Sequence, residues 1–330
     1  MTRNVYVGVD ALRIVLDSSP LGVEEAFAIV ERTNFSERAR WLAAEIADEL
    51  PDLVGLQEVA LWRSQTPGDY SRRNPKVNAS TIEFDYLEIL LDRLSDLGCN
   101  YVPLVVCSTF DAELAGIGRD LRLTDREVLL MRAGVPAEHL EVLRVNAGRF
   151  RSAVQLPIDR RLVPLWRGWV GADLRVRRRP LRVISTHLET NFVATQLAQA
   201  QELLWGPAST NTPTILLGDF NSSDLGDGAP TPTYPALAAA GFEDAWKATS
   251  APGKGFTCCQ NELLDNPASL LDARIDLVLF RSSSKARLRR KRDLRALQAF
   301  ITGHLSVPVG QNVFWASDHA GVVADFQNDD

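Results

Sequence analysis

No apolar run in the 330 residues reaches the length of a membrane span, and the opening Met1-Thr2-Arg3-Asn4-Val5-Tyr6 lacks the apolar core of a signal peptide. A helical membrane span is therefore not expected, and export would need residues upstream of Met1. Cysteine is scarce. The four residues Cys99, Cys107, Cys258 and Cys259 do not form the spaced pairs of a structural zinc site. The count does not decide a redox compartment, and adjacent Cys258 and Cys259 read as free thiols in preference to a strained vicinal disulfide. Positive charge is not in excess: 36 Lys and Arg stand against 42 Asp and Glu, a net charge of -6. That balance argues against a surface that embraces nucleic acid throughout, though not against a local basic groove. No internal repeat and no long linker is visible, so one domain over residues 1–330, acting as a monomer, is the economical expectation.

What is present is a globular composition, 45% hydrophobic and 24% charged, with enough apolar mass for a sizeable core. Asn4–Val9 reads as the end of a strand. Residues 36–50 read as a helix capped by Ser36, with Ala39, Leu42, Ile46 and Leu50 at helical spacing. A buried strand is predicted over 53–59, a polar loop over 64–80 and an amphipathic helix over 82–97 that stops at Gly98. Strands are predicted at 101–107, 127–132, 150–158, 162–170 and 181–186, with a loop over Asp111–Thr124. A helix over 192–205 leads to a strand ending at Asp219, and a short helix over 233–240 stops at Gly241. Strands at 275–280, 286–302 (interrupted) and 322–326 complete the prediction.

The most informative stretch is Thr214-Ile215-Leu216-Leu217-Gly218-Asp219-Phe220-Asn221. A short buried strand ends in a glycine, an acid and a carboxamide. In extended backbone Asp219 and Asn221 face one side, where they can hold a water beside an anionic oxygen. The same theme, a polar group at the tip of an apolar run, recurs at Asn4, at Glu58 after Leu56-Gln57, and at His187 after Ile184-Ser185-Thr186. It recurs again at Ser317-Asp318-His319 before Val322-Val323, and Asp276 interrupts the run Arg274–Leu279. A charge there is costly to bury unless paired or bound. Each has an ordinary explanation: Asn4 as a turn residue, Glu58 as a surface acid, His187 as a strand-edge histidine, Asp276 paired with Arg274. Six such coincidences in one chain are much harder to dismiss. His139 and His304 have no such surroundings and read as structural.

In this order, Asn4, Gln57-Glu58, Thr186-His187-Leu188, Gly218-Asp219-Phe220-Asn221, Arg274-Ile275-Asp276 and Ser317-Asp318-His319 resemble the endonuclease/exonuclease/phosphatase family. The resemblance runs over nearly the whole chain, to Asp325. It implies an α/β (α+β) fold, a four-layer sandwich of two face-to-face mixed β-sheets flanked by helices. It also implies divalent-metal-dependent hydrolysis of a phosphoester. Glu58 would be the principal metal ligand, with Asn4 and Asp318 beside it, directly or through water. Asp219 would orient and deprotonate the attacking water, and Asn221 would position it. His187 would donate to the phosphate, as would His319 held by Asp276. Hard oxygen donors favour Mg²⁺ or Mn²⁺, with Ca²⁺ as an alternative and Zn²⁺ less suited. One departure from the pattern is that only three residues precede Asn4, where family members carry more of the first strand.

The family leaves the substrate open. Two basic stretches, Arg175–Arg182 and Lys285–Arg295, would track a polyanion if they flanked the site, and would be solvated hairpins if they did not. Asn221-Ser222-Ser223-Asp224 lacks the asparagine-tyrosine-arginine extension of the inositol phosphatases. Trp166 and Trp169 could serve as the lipid-reaching aromatics of a sphingomyelinase, but their spacing along a strand makes core burial of at least one the plainer expectation. Phosphodiester cleavage, with nucleic acid as the first substrate class, leads. A lipid or small-molecule phosphodiesterase follows, and then an inactive binding module on the same fold.

Overall fold

The computed structural model describes residues 1–328 apart from 72, 74, 289, 290, 292 and 311. An eight-stranded sheet runs from Leu294–Thr302 through Gly321–Asn328, Thr2–Asn4, Leu53–Gln57, Asp120–Arg132 and Leu61–Gln65 to Thr81–Asp85, with Tyr101–Ala115 also paired to Asp120–Arg132. A six-stranded sheet runs through Glu243–Asp244, Asp276–Arg281, Thr214–Asp219, Arg179–His187, Gly168–Val176 and Leu140–Arg149. Both sheets are mixed. Thr2–Asn4 lies parallel to Leu53–Gln57, and Arg179–His187 lies parallel to Thr214–Asp219.

The period of two along each strand builds the layers. In the six-stranded sheet Ile215, Leu217, Val278 and Phe280 face inward, against Leu129 and Val322 of the other sheet. Their neighbours Leu216, Leu277 and Leu279 face outward onto the helices Val193–Trp205 and Thr233–Ala239. On the far side Val54, Leu56, Val128 and Leu130 meet the helices Pro20–Thr33, Phe35–Glu49 and Tyr86–Asp96. Helix, sheet, sheet, helix is the expected four-layer order. A buried polar link also joins the sheets, in which Gln57 Nε2 donates to Ser185 Oγ at 2.9 Å.

Several local expectations change. The first strand stops at Asn4 rather than continuing to Val9, because Tyr6 turns into the left-handed region at φ 62°. Asn34, not Ser36, caps the helix Phe35–Glu49, and Leu50 is its exposed left-handed end rather than a core residue. Residues 81–85 form an edge strand before the helix, whose true start is capped by Asp85. The segment read as a loop, Asp111–Thr124, forms the tip of a long hairpin. Its polar arms pair across strands, with Arg122 donating to Asp111 Oδ2 at 2.6 Å. Residues 284–288 are helical, and the strand begins only at Leu294. Trp166 and Trp169 are both half-buried, and Trp169 packs against the core cluster that holds Phe150 and Ile184.

The first basic stretch sits in the turn between Gly168–Val176 and Arg179–His187, a strand's length, about 26 Å, from His187. Three of its arginines are engaged there: Arg182 with Asp173 at 2.6 Å, Arg175 with Glu141, and Arg179 with the Asn328 carbonyl at 2.6 Å. The second stretch follows Arg281, at the end of its strand opposite Asp276, so it also starts at the far pole. Arg289, Arg290 and Arg292 lie outside the described residues, as do the side chains of Lys285 and Arg287. Among the described residues neither stretch flanks the polar strand tips. No described helix is long and apolar enough to cross a membrane.

Candidate active site

Strand direction and register bring the polar tips together. Asn4 pairs with Gln57, His187 with Asp219, and Asp219 with Asp276, so all stand at one end of the two sheets. Asp318 and His319 arrive from the loop before Gly321–Asn328. His139 lies outside this group, and His304 lies beside Glu45.

Buried arginines hold the loops that carry these residues. Arg38 donates to the carbonyls of Val5 (2.7 Å), Tyr6 (3.1 Å), Thr33 (2.9 Å) and Ala316 (2.9 Å), fastening the turn after Asn4 to the segment before Asp318. Arg3 is fully buried, pairs with Glu45 at 3.0 Å and donates to the carbonyl of His319. Three site residues that are not glycine, Tyr6, Glu58 and Asn221, adopt positive φ of 62°, 59° and 49°. Such strain persists only where the surroundings over-determine it.

Asn4 Nδ2 donates to Glu58 Oε1 at 3.0 Å and to Asp219 Oδ2 at 3.1 Å, while its Oδ1 accepts from the Tyr6 amide at 2.9 Å. Asn4 thus turns its amide nitrogen toward the acids and reads as a partner of the carboxylates rather than a direct oxygen donor. Glu58 Oε2 accepts from the Val7 amide at 2.8 Å. Asp219 Oδ1 accepts from the Asn221 amide at 2.9 Å. The strand has already ended there, so the two residues meet through this turn rather than by sharing a face of extended backbone. Asn221 Nδ2 donates to the Leu188 carbonyl at 3.0 Å, which orients its carbonyl oxygen away from that bond.

His319 Nδ1 donates to Asp276 Oδ2 at 2.8 Å, and its Nε2 lies 3.9 Å from Asp219 Oδ2. Asp276 does not pair with Arg274, which instead meets Asp227 and Asp244 at 2.8 Å each. Burial alone would lower the His319 pKa, but Asp276, Asp318 and Asp219 together carry it well above the usual 6.5. His187 is the opposite case. Burial, with help from Arg167 and His319, holds it well below 6.5 and therefore neutral. Arg167 Nη1 lies 3.0 Å from His187 Nδ1 and can only donate, so Nδ1 accepts and the proton resides on Nε2, facing Asp219 Oδ2 at 3.4 Å.

Carboxylates accumulate here beyond what nearby cations balance. Burial first, then Asp276 and Glu58, push Asp219 up to about 7. Burial and Glu58 push Asp318 up to about 6. The buried atom Asp276 Oδ1 has no hydrogen-bond partner. Asp219, Asp276 and His319 present ligand atoms within 4.8 Å of one another. An oxygen-rich, mutually repelling acid cluster of this kind fits a hard divalent cation.

Several residues of this neighbourhood escaped the sequence reading. Glu127 is fully buried beside His187, its Oε1 3.8 Å from Nδ1, and both its oxygens lack hydrogen-bond partners. Asp125 accepts from Thr109 at 3.1 Å and lies 3.9 Å from Arg167. The signal was the one that exposed Asp276: Glu127 stands directly against the apolar run Val128-Leu129-Leu130-Met131. Cys258 and Cys259 also border the site, with Cys259 Sγ 3.8 Å from His319 Nε2. The two sulfurs lie against each other, placed to join on oxidation.

The model of the endonuclease/exonuclease/phosphatase family matches residues 4–319. No curated protein sequence matches the chain. Among solved structures, a family protein from Leptotrichia buccalis superposes with a TM-score of 0.55 at 16% identity, covering 89% of this chain and 94% of its own. A Bacteroides thetaiotaomicron mannosyl-6-phosphatase gives a TM-score of 0.54 at 14% identity, covering 89% and 92%. D. rerio TDP2 complexed with a single-strand DNA product gives 0.51 at 17% identity, covering 89% and 93%. Those likenesses share the fold, and the match from Asn4 to His319 shows the family: the chain belongs to the endonuclease/exonuclease/phosphatase family and is a hydrolase acting on phosphoester bonds.

Proposed function

We propose that this hydrolase is a divalent-metal-dependent phosphodiesterase, with nucleic acid as the first substrate class to test. The observation that carries the reading is the convergence on Asp219 Oδ2 of Asn4 at 3.1 Å, His187 at 3.4 Å and His319 at 3.9 Å. One buried carboxylate is ringed by a carboxamide and two imidazoles, each of which can also serve an anionic substrate. Glu58 and Asp318 would hold the cation, with Asn4 beside them, and Mg²⁺ suits their oxygens best. When bound, the ion supplies Lewis-acid stabilisation of charge gathering on the phosphate oxygens.

The chain's own groups do the rest. Asp219, with a pKa of about 7, takes a proton from the attacking water close to the pH at which a general base is most effective. The Asn221 carbonyl oxygen accepts the water's second hydrogen and fixes its direction. His187 Nε2–H and His319 Nε2–H donate to the phosphoryl oxygens, and Asp276 holds the second imidazole in its donor tautomer. Water adds to phosphorus in line with the departing alkoxide, which leaves with the bonding pair.

The rim supports a substrate with planar groups next to its phosphate. Register places Arg149 beside Gly168 and Gly168 beside His187, so Arg149 stands about 10 Å from His187 across two strand spacings. There Arg149 stacks on half-buried Trp166 at 5.1 Å, a surface on which a base can lie. The TDP2 structure holds a single-strand DNA product on the same fold. A small phosphoester is the second reading, favoured by the remote placement of the two basic stretches and by the mannosyl-6-phosphatase likeness.

The test is hydrolysis of plasmid DNA, RNA, abasic DNA, sphingomyelin, a sugar monophosphate and a chromogenic phosphodiester with Mg²⁺, Mn²⁺ or Ca²⁺. Glu58→Gln and His319→Ala serve as controls. Activity that survives both substitutions sinks the site assignment. Turnover of the monoester alone, or of the lipid alone, sinks the nuclease reading.

A further inference from the structure

The segment Thr257–Gln260 forms the wall on which the Asp318–His319 loop rests. The Gln260 amide donates to the Asp318 carbonyl at 2.8 Å, and the Ala320 amide donates to the Thr257 carbonyl at 2.7 Å. Cys258 faces His319 in an antiparallel bridge. Cys258 is buried and Cys259 is exposed. Both sulfurs and one His319 nitrogen lie within 4.8 Å of one another, and the hydrolytic chemistry above uses neither cysteine.

This donor set is opposite in character to the oxygen-rich cluster beside it. Two thiolates and an imidazole prefer a thiophilic, tetrahedral cation. Zn–S and Zn–N bonds of about 2.3 and 2.0 Å at tetrahedral angles separate sulfur from nitrogen by about 3.5 Å. The observed separation between Cys259 Sγ and His319 Nε2 is 3.8 Å. Oxidised to a disulfide, the pair offers no thiolate, so the site opens on reduction. One phosphine and one water convert the disulfide to two thiols and a phosphine oxide, and a divalent cation then displaces three protons, one from each thiol and one from His319 Nε2.

We infer that reduced Cys258 and Cys259, with His319 Nε2, form a second cation site, for a thiophilic ion of the Zn²⁺ or Cd²⁺ class, and that filling it withdraws His319 from the phosphate. The site is redox-gated, because oxidation of the pair removes two of its three ligands. Its inhibitory consequence rests on the hydrolase site proposed above, whereas its ability to bind a cation does not.

The experiment uses the full chain, reduced with a phosphine, and titrates it with Cd²⁺ while recording sulfur-to-cadmium charge-transfer absorption and bound cadmium. Reduced wild type should develop the band with one cadmium per chain. Wild type oxidised to the disulfide and the double variant Cys258→Ser, Cys259→Ser should not, with circular dichroism confirming that the variant folds. Cys99 and Cys107 remain in the variant and report any background. In parallel, Zn²⁺ should inhibit Mg²⁺-supported cleavage of the chromogenic phosphodiester. Half-inhibition should need about 10–100-fold more Zn²⁺ in the double variant than in reduced wild type. No band in the reduced protein, or a band and inhibition unchanged in the variant, overturns the inference. A cadmium site without the sulfur band would place the ion at Asp219, Asp276 and His319 instead, and also overturns it. If wild type cleaves nothing, the hydrolase site assignment fails while the cadmium band still decides this one.

Discussion

Replacing Asp219 with asparagine should stabilise the metal-free protein at pH 8 while removing its activity. Asp219 is 1% exposed, and burial together with Asp276 and Glu58 raises its pKa from 3.8 to about 7. That displacement corresponds to about 4 kcal/mol by which the ionised side chain disfavours the fold above neutrality. A raised acid pKa means the folded state holds the proton more tightly, so stability falls as pH climbs from about 4 to about 7. The neutral carboxamide of Asp219→Asn would escape this cost and keep the bond from the Asn221 amide. It would also turn an NH₂ group, or lose an acceptor, toward Asn4, His187 and His319, a loss of about 1–2 kcal/mol. The net gain at pH 8 is about 2 kcal/mol, or about 3 °C in Tm for a chain of this size. Urea and thermal melts in EDTA at pH 4, 6 and 8 measure it. The gain should be gone at pH 4, largest at pH 8, and reduced by Mg²⁺, which would relieve the same repulsion in wild type. Loss of the general base should lower kcat by about 10²–10⁴-fold. A variant less stable than wild type at pH 8, or a gain that does not vary with pH, would refute the electrostatic account.

Three further outcomes are expected. Glu58→Gln should raise the Mg²⁺ concentration giving half-maximal rate and cut the maximal rate by about 10²-fold or more, as read from metal titrations of hydrolysis. Asp276→Asn should lower kcat by about 10²–10⁴-fold with little change in KM. Because the folded His319 pKa lies above 6.5, the stability it contributes is full below pH 6.5 and fades as pH rises through the folded value. The same variant should therefore destabilise more at pH 6 than at high pH, and a uniform effect would count against the pairing. Gly218→Ala should cost at least about 1–3 kcal/mol in denaturant melts, since φ is +143° and a Cβ would strike the Thr186 backbone; a neutral result would contradict the close approach of the two strands.

Asp276 and Asp219 are legible in sequence because a charge at the end of an apolar run has few reasons to be there. Glu127 obeys the same logic but stands at the edge of a segment whose alternating acids and arginines imitate a loop. Only the hairpin pairing of Tyr101–Ala115 with Asp120–Arg132 turns that polarity into a ladder. Arg3 and Arg38 are opaque for a different reason. Their partners lie up to 316 residues away, and nothing local distinguishes a buried arginine from a solvated one. The four layers were legible only through the family resemblance that the ordered motifs carry, since apolar runs such as Ile215–Leu217 and Leu277–Phe280 mark buried strands without saying how their sheets stack. The remoteness of the basic stretches was not, because it depends on which end of a strand meets the site.

The pairing of Thr2 with Val322 in the middle of the larger sheet has a consequence for biosynthesis. Asn4 leaves the ribosome before every other residue of the cluster, yet its strand gains one of its two neighbours only when the chain has passed residue 322. At about 5–20 residues per second, the imidazole of His319 follows Asn4 by about 15–60 s of translation. Every shorter nascent chain that has reached Asp219 carries Glu58, His187 and Asp219 without their last partner. The proposed site is thus silent until residue 322 has emerged, and completing the sheet and switching on the chemistry become one event.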